Sequence, residues 1–179
     1  MAQKFVVLQI GDMARLLHAT RFSLDRLIRR TKFRAAIVRR RKWSRVIFTT
    51  EDVATLALAY WLFRSGLRVR AIQDVLASPV VRSFLSRVID PESIEAEGKR
   101  DRLLVTWRVP ESVVSGTTRR KVFGQKVAFV ATLEEMRATL EAPHQFGFLL
   151  IPIGRLLREL AGRLRGVIQA INGGNDVAL

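Results

Sequence analysis

Apolar residues between Ile10 and Ala77 recur at mostly helical spacing, interrupted by one stretch that reads as extended. Asp12 is placed to cap a short helix running to Ala19, with Ala14, Leu16 and Leu17 as its apolar positions. After a break at His18 to Phe22, Ser23 is placed to cap a second helix. At about 100° per residue, Leu24, Leu27, Ile28 and Thr31 of that helix fall on one side, and Arg26, Arg29 and Arg30 on the other. The arginines face away from the core. The run AAIVRRRKWSRVIF has two β-rich ends and a charged middle, the pattern of a short β-hairpin. Thr49 with Asp52 three residues later forms a capping-box pattern ahead of EDVATLALAYWLFRS, which Gly66 closes at a C′ position. VRAIQDVLAS adds another amphipathic helix before Pro79.

Residues Val80 to Ile89 predict one more short helix, with Val80, Val81, Phe84, Leu85 and Val88 on one face. The polar stretch DPESIEAEGKRDR then marks a boundary. Beyond it, LLVTWRV and KVFGQKVAFVA alternate with period two and predict an antiparallel pair. Thr132 and Glu135 form a capping pattern before LEEMRATLEA, FGFLLIP reads as a buried strand, and GRLLRELAGRLRGVIQAI as a final helix. The predicted class is α+β: an α-α-β-β-α-α domain over residues 1–90, a linker over 91–102, a small β-β-α-β-α domain over 103–171, and a loose tail over 172–179.

Charge sharpens this picture. Thirty-one Lys and Arg against sixteen Asp and Glu leave +15 over 179 residues, a field that draws polyanions. The segment Leu27 to Phe48 holds nine of those cations and no acid. Cysteine is absent, which removes disulfides, thiolate metal sites and thiol redox chemistry. The N-terminal MAQKFVVLQIGDM has too short an apolar run for a secretory leader, and FGFLLIPIG is about half a membrane span. A cytoplasmic, nucleoid-associated protein with no membrane contact is expected.

A helix presenting Arg26, Arg29 and Arg30, followed by a hairpin carrying Arg39, Arg40, Arg41, Lys42 and Arg45, has the layout of a winged helix-turn-helix. In such a unit the second helix enters the major groove and the hairpin lies along the phosphates. The residues Leu8 to Ala77 resemble MerR-like and phage-excisionase-like winged-helix DNA-binding domains. IGDMARLL resembles their first helix, SLDRLIRR the recognition helix, AAIVRRRKWSRVIFTTEDV the wing and its return, and LFRSGLRVRAIQDVLAS the MerR-type continuation. The resemblance implies sequence-directed binding of double-stranded DNA, usually as a dimer. It assigns contacts to Ser23, Arg26, Arg29 and Arg30 of the recognition helix, and to Arg39 to Lys42 with Arg45 of the wing. Where MerR-type recognition helices commonly carry Arg-Tyr-Tyr, this chain has Ile28-Arg29-Arg30, so base preferences do not carry over. Thr31 and Arg34 stand where Gly and Pro are usual before the wing.

Arg21, Lys32 and Arg34 flank these positions, and Arg68 and Arg70 lie at the start of a helix whose N-terminus can meet a phosphate. Trp43 at the hairpin tip reads as a side chain that pins the wing to its own domain, with stacking on a sugar or base as the alternative. His18 and His144 are too few and too far apart for a metal site, and Tyr60 lies inside an apolar helix. Glu134 and Glu135 read as first-turn acids, and SGTTRRK as a loop without P-loop spacing. No catalytic signature and no cofactor are expected. The apolar face of the final helix, Leu156 through Ile171, reads as cover for the sheet or a pairing surface. A homodimer through residues 80–89, 154–171 or both is expected, with a further protein partner at the C-terminal domain allowed. The favoured function is transcriptional regulation; the alternatives are an architectural role in excision, packaging or segregation, or a structured-RNA or ribosome-associated factor.

Overall fold

The computed structural model describes residues 8–31, 37–40, 43–115, 118–140 and 146–173; in the two hairpins, for 37–40, 43–47, 108–115 and 118–125, it describes the backbone alone. The chain is an α+β protein with helices α1 (Ile10–Leu16), α2 (Arg21–Thr31), α3 (Thr50–Arg64), α4 (Val69–Ala77), α5 (Pro79–Leu85), α6 (Pro91–Gly98), α7 (Leu133–Leu140) and α8 (Ile153–Gly173). Its strands are β1 (Leu8–Gln9), β2 (Ile37–Arg40), β3 (Trp43–Phe48), β4 (Leu103–Ser115), β5 (Thr118–Val130) and β6 (Phe146–Ile151). They form two antiparallel three-stranded sheets, ordered β1-β3-β2 and β5-β4-β6.

Helix α3 is the axis of the N-terminal half. Asp52 Oδ2 accepts from the Thr49 amide at 2.9 Å and from its hydroxyl at 3.1 Å, so the expected cap is in place. Gly66, at φ +87°, closes the other end as C′: its amide donates to Phe63 O at 3.0 Å and that of Leu67 to Leu62 O at 3.1 Å, the paired bonds of a Schellman turn. Val53, Leu56, Leu58, Ala59 and Leu62 are all buried, because a helix apolar all round has to lie inside.

The caps of the first two helices differ from expectation. Gln9, not Ser or Asp, is the N-cap of α1, and Asp12 serves from the N3 position by accepting from the Gln9 amide at 2.9 Å. His18 sits at φ +48°; its amide donates to Arg15 O at 3.3 Å and that of Ala19 to Ala14 O at 2.9 Å. A histidine thus fills the left-handed position usually given to Gly. Helix α2 starts three residues earlier than read from sequence, because Thr20 and not Ser23 is its cap: Thr20 Oγ1 accepts from the Ser23 amide at 3.1 Å and shares a 2.8 Å bond with the Ser23 hydroxyl.

Residues 91–102, expected as a linker, contain helix α6. Asp90 caps it, accepting from the Ser93 amide at 2.7 Å, and Pro91 occupies N1, where its fixed φ suits a helix start. Helix α6 packs on α8 through backbone contact. A Cβ on Gly98 would lie 2.9 Å from Arg158 N, and one on Gly154 2.7 Å from Arg100 O. Arg158 Nη1 donates to Gly98 O and to Asp101 Oδ1, both at 2.7 Å. Glu97 is buried and paired with Arg100 at 2.9 Å, and Arg165 pairs with Glu95.

One buried cluster runs from Leu8 through α3 to Leu104, Ile151 and Leu164. Both faces expected to mediate self-association contribute residues to it, while Val80 stays exposed. Val81, Phe84 and Val88 are buried, with the Phe84 and Phe129 rings 4.6 Å apart. Leu157, Leu160 and Leu164 of α8 are buried likewise, α8 lying against α1, α6 and β4. Strand β6, expected to be buried, is an edge strand: Ile151 faces the core, while Phe148 and Leu150 remain exposed. The SGTTRRK segment, expected as a loop, enters β5 at Thr118. No helix among the described residues is long and apolar enough to cross a membrane.

Candidate nucleic-acid interface

Leu24, Leu27, Ile28 and Thr31 place one side of α2 in the core, as the spacing predicts. The Thr31 hydroxyl donates back to Leu27 O at 2.8 Å, a local side-chain bond of the kind Thr makes to the preceding turn of a helix. Two carbonyls at that end are held from outside: Gln73 Nε2 of α4 donates to Thr31 O at 3.2 Å and to Arg30 O at 3.4 Å. With Thr20 at its start and Gln73 at its finish, α2 is fixed at both termini.

The opposite side is basic. Arg26, Arg29 and Arg30 are exposed, as expected. Arg29 and Arg30 also suit the last turn, where cations oppose the helix dipole. Asp25 is the one acid of α2 and lies one turn from Arg29, its Oδ2 2.8 Å from Arg29 Nε. Arg26 carries no ion pair among the described residues. Ser23 is half-buried; its amide and hydroxyl bond to Thr20, and on the helical wheel it lies within about 20° of Arg30. Arg21, though exposed, lies over α1: a Cβ on Gly11 would sit 2.8 Å from its Nη2.

Phe22, which falls in the break expected before the second helix, belongs to α2. It is 75% exposed, the most exposed large apolar side chain among the described residues. On the helical wheel Phe22 lies within about 40° of both Arg26 and Arg29, at the centre of the exposed side. The signal was present: Thr20 followed by Ser23 is a cap pattern, and capping at Thr20 draws Phe22 into the first turn.

The hairpin follows directly. Its register pairs Ile37 with Val46, Val38 with Arg45, Arg39 with Ser44 and Arg40 with Trp43. Arg39, Arg40 and Arg45 therefore stand on paired strands, while Lys32, Arg34, Arg41 and Lys42 lie outside the described residues, as does the side chain of Trp43. The base of the hairpin is anchored. Strand β1 pairs with β3 through Leu8 with Phe48 and Gln9 with Ile47, and both Leu8 and Phe48 are fully buried. Since β1 leads straight into α1 and β3 into α3, the hairpin and α2 hang from the same core.

Arg68 is the N-cap residue of α4 and Arg70 lies in its first turn, both exposed. Arg70 and Gln73 are three residues apart and so share a helix face, which puts Arg70 on the side of α4 that meets the end of α2. Among the described residues there is no group of three or more His, Asp or Glu arranged to hold a metal ion. No protein-family model matches the chain, and no curated protein matches it.

Chemically, this surface offers planar guanidinium forks on a fixed helix, a neighbouring hairpin and one exposed aromatic ring. Arginine donates two parallel hydrogen bonds to a phosphate or to guanine O6 and N7. No acid interrupts the sequence from Arg26 to Phe48.

Proposed function

We propose that residues 8–77 form a winged helix-turn-helix of the MerR-like and excisionase-like kind. In this reading the chain binds double-stranded DNA with sequence preference and acts as a transcriptional regulator. Helix α2 enters the major groove, hairpin β2–β3 lies along the flanking phosphates, and Arg68 and Arg70 reach the backbone from α4. The observation that carries the reading is that α2, held at both ends, turns Arg26, Arg29 and Arg30 outward, and that the hairpin following it in the chain is anchored to the same core. A merely solvated face needs neither that anchoring nor the near absence of acids.

The geometry also favours DNA over duplex RNA. A major groove about 12 Å wide admits a helix, whereas that of A-form RNA is too narrow for side chains to read. Cations on α2 and the wing displace counterions and supply affinity; arginines that reach base edges supply preference. The test is selection of bound sequences from a random duplex pool at two salt concentrations, followed by competition with structured RNA. Enrichment of one compact motif that outcompetes RNA is expected. A footprint that spreads with protein concentration would instead mark an architectural protein, and tighter RNA binding would overturn the reading.

A further inference from the structure

We infer that Phe22 reads the C5-methyl group of a thymine at the edge of the major groove, making thymine the preferred base at one position of the bound site. The inference rests on the DNA-binding reading above. It starts from a side chain without a place in the fold: the Phe22 ring is 75% exposed on a helix whose other apolar residues, Leu24, Leu27 and Ile28, are all buried. Neither the Thr20–Ser23 cap nor the contact of Arg21 with Gly11 uses the ring. Its neighbours one and two turns on are Arg26 and Arg29, so it stands in the middle of the cationic face.

That setting selects a ligand. A Phe ring cannot hydrogen-bond to the donors and acceptors of the groove edge, and the one apolar group displayed there is the thymine methyl. First-turn residues of a groove-bound helix are the ones that meet base edges, and Phe22 is the second residue of α2. Arg26 follows about 6 Å further along the axis, at 1.5 Å per residue, roughly two base-pair steps of 3.4 Å. The thymine therefore lies within about two base pairs of the position that Arg26 contacts. Asp25, the one acid of α2, is engaged by Arg29 at 2.8 Å.

Uracil differs from thymine only in lacking this methyl, so it keeps every polar group of the base pair. The experiment uses the full chain on the selected duplex and on duplexes with each thymine replaced in turn by uracil, alongside Phe22→Ala. The wild type should bind about 4-fold more weakly when one particular thymine is replaced, the loss corresponding to one buried methyl group of about 0.8 kcal/mol. Phe22→Ala should bind the thymine duplex more weakly and show no difference between thymine and uracil at that position. Because the ring is exposed, the variant should melt as the wild type does, and Phe22→Leu should keep part of the thymine preference.

Preference for the selected duplex with indifference to uracil at every position would overturn the role of Phe22 while leaving the DNA reading intact. So would a selected site without thymine, or a Phe22→Ala variant that keeps the discrimination. No preference for selected over random duplex would overturn both.

Discussion

Asp25 Oδ2 lies 2.8 Å from Arg29 Nε, across one turn of α2. The acid holds the guanidinium at its inner nitrogen and leaves the two terminal nitrogens to form a fork. For stability the pair counts for little: Arg29 is largely and Asp25 partly exposed, and exposed pairs contribute about 0–1 kcal/mol. Under the proposed function its effect is on discrimination. Arg29→Ala should cost about 1–3 kcal/mol on the selected site and relax preference at one base pair, and Arg29→Lys should not restore it, because a point charge lacks the fork. Asp25→Ala removes a negative charge from the face, so it should tighten binding to random DNA while narrowing the gap to the selected site. Binding curves on selected and single-substituted duplexes check both; an unchanged preference profile in Arg29→Ala would remove Arg29 from the readers.

The hairpin should behave differently. Arg40 sits in the last registered pair of β2 and β3, opposite Trp43. If it meets a phosphate, Arg40→Ala weakens all duplexes by a similar factor and lowers the slope of log affinity against log salt by about 0.9. Titrations at four or five salt concentrations, on selected and random DNA, give the slope directly. A loss confined to the selected sequence would place Arg40 at a base edge.

Gln73 couples α4 to the end of α2 through Thr31 O and Arg30 O. Gln73→Ala leaves those carbonyls without that donor and should lower stability by about 1 kcal/mol. Gln73→Glu should cost more, since it replaces a donor by an acceptor and adds negative charge at the C-terminal end of the α2 dipole. Urea unfolding checks the order, with a falling midpoint at constant slope. Equal loss in the two variants would mean that the side chain contributes packing alone.

The sequence made much of this architecture legible, for reasons that particular residues show. Thr49 with Asp52 and the terminal Gly66 bound α3 because capping is local chemistry, complete within a few residues. The stripe Leu24, Leu27, Ile28 and Thr31 placed the arginines of α2 outward because burial sets the phase of the wheel. The apolar face of α8 was equally visible, but periodicity tells which residues are covered and not what covers them, so that face read as cover for the sheet or a pairing surface, and the structure lays α1, α6 and β4 against it. At Asp90-Pro91 the polar composition outweighed a sound start signal, an Asp cap with Pro at N1, and α6 was missed. Phe22 was passed over because one misplaced cap, Ser23 for Thr20, left it outside the helix.

Four glycines in or beside the α6–α8 pair divide by what surrounds them. At Gly98 and Gly154 an added Cβ would meet backbone at 2.9 and 2.7 Å, whereas at Gly162 and Gly166 it would meet nothing within 4 Å. Gly166 lines an open cleft between α1 and α8. Gly98→Ala must therefore push α6 away from α8, and Gly154→Ala the segment Arg100–Arg102 away from the N-terminal end of α8, and each should destabilise the protein by about 1–3 kcal/mol. Gly162→Ala and Gly166→Ala relieve the entropic cost of glycine inside a helix at no steric cost, and each should stabilise by about 0.5–1 kcal/mol. Because the two groups change the same atoms in opposite directions, urea midpoints of the four variants test the close approach of α6 and α8 against helix propensity alone. Stabilisation in all four would mean that the two helices do not touch at Gly98 and Gly154 in solution.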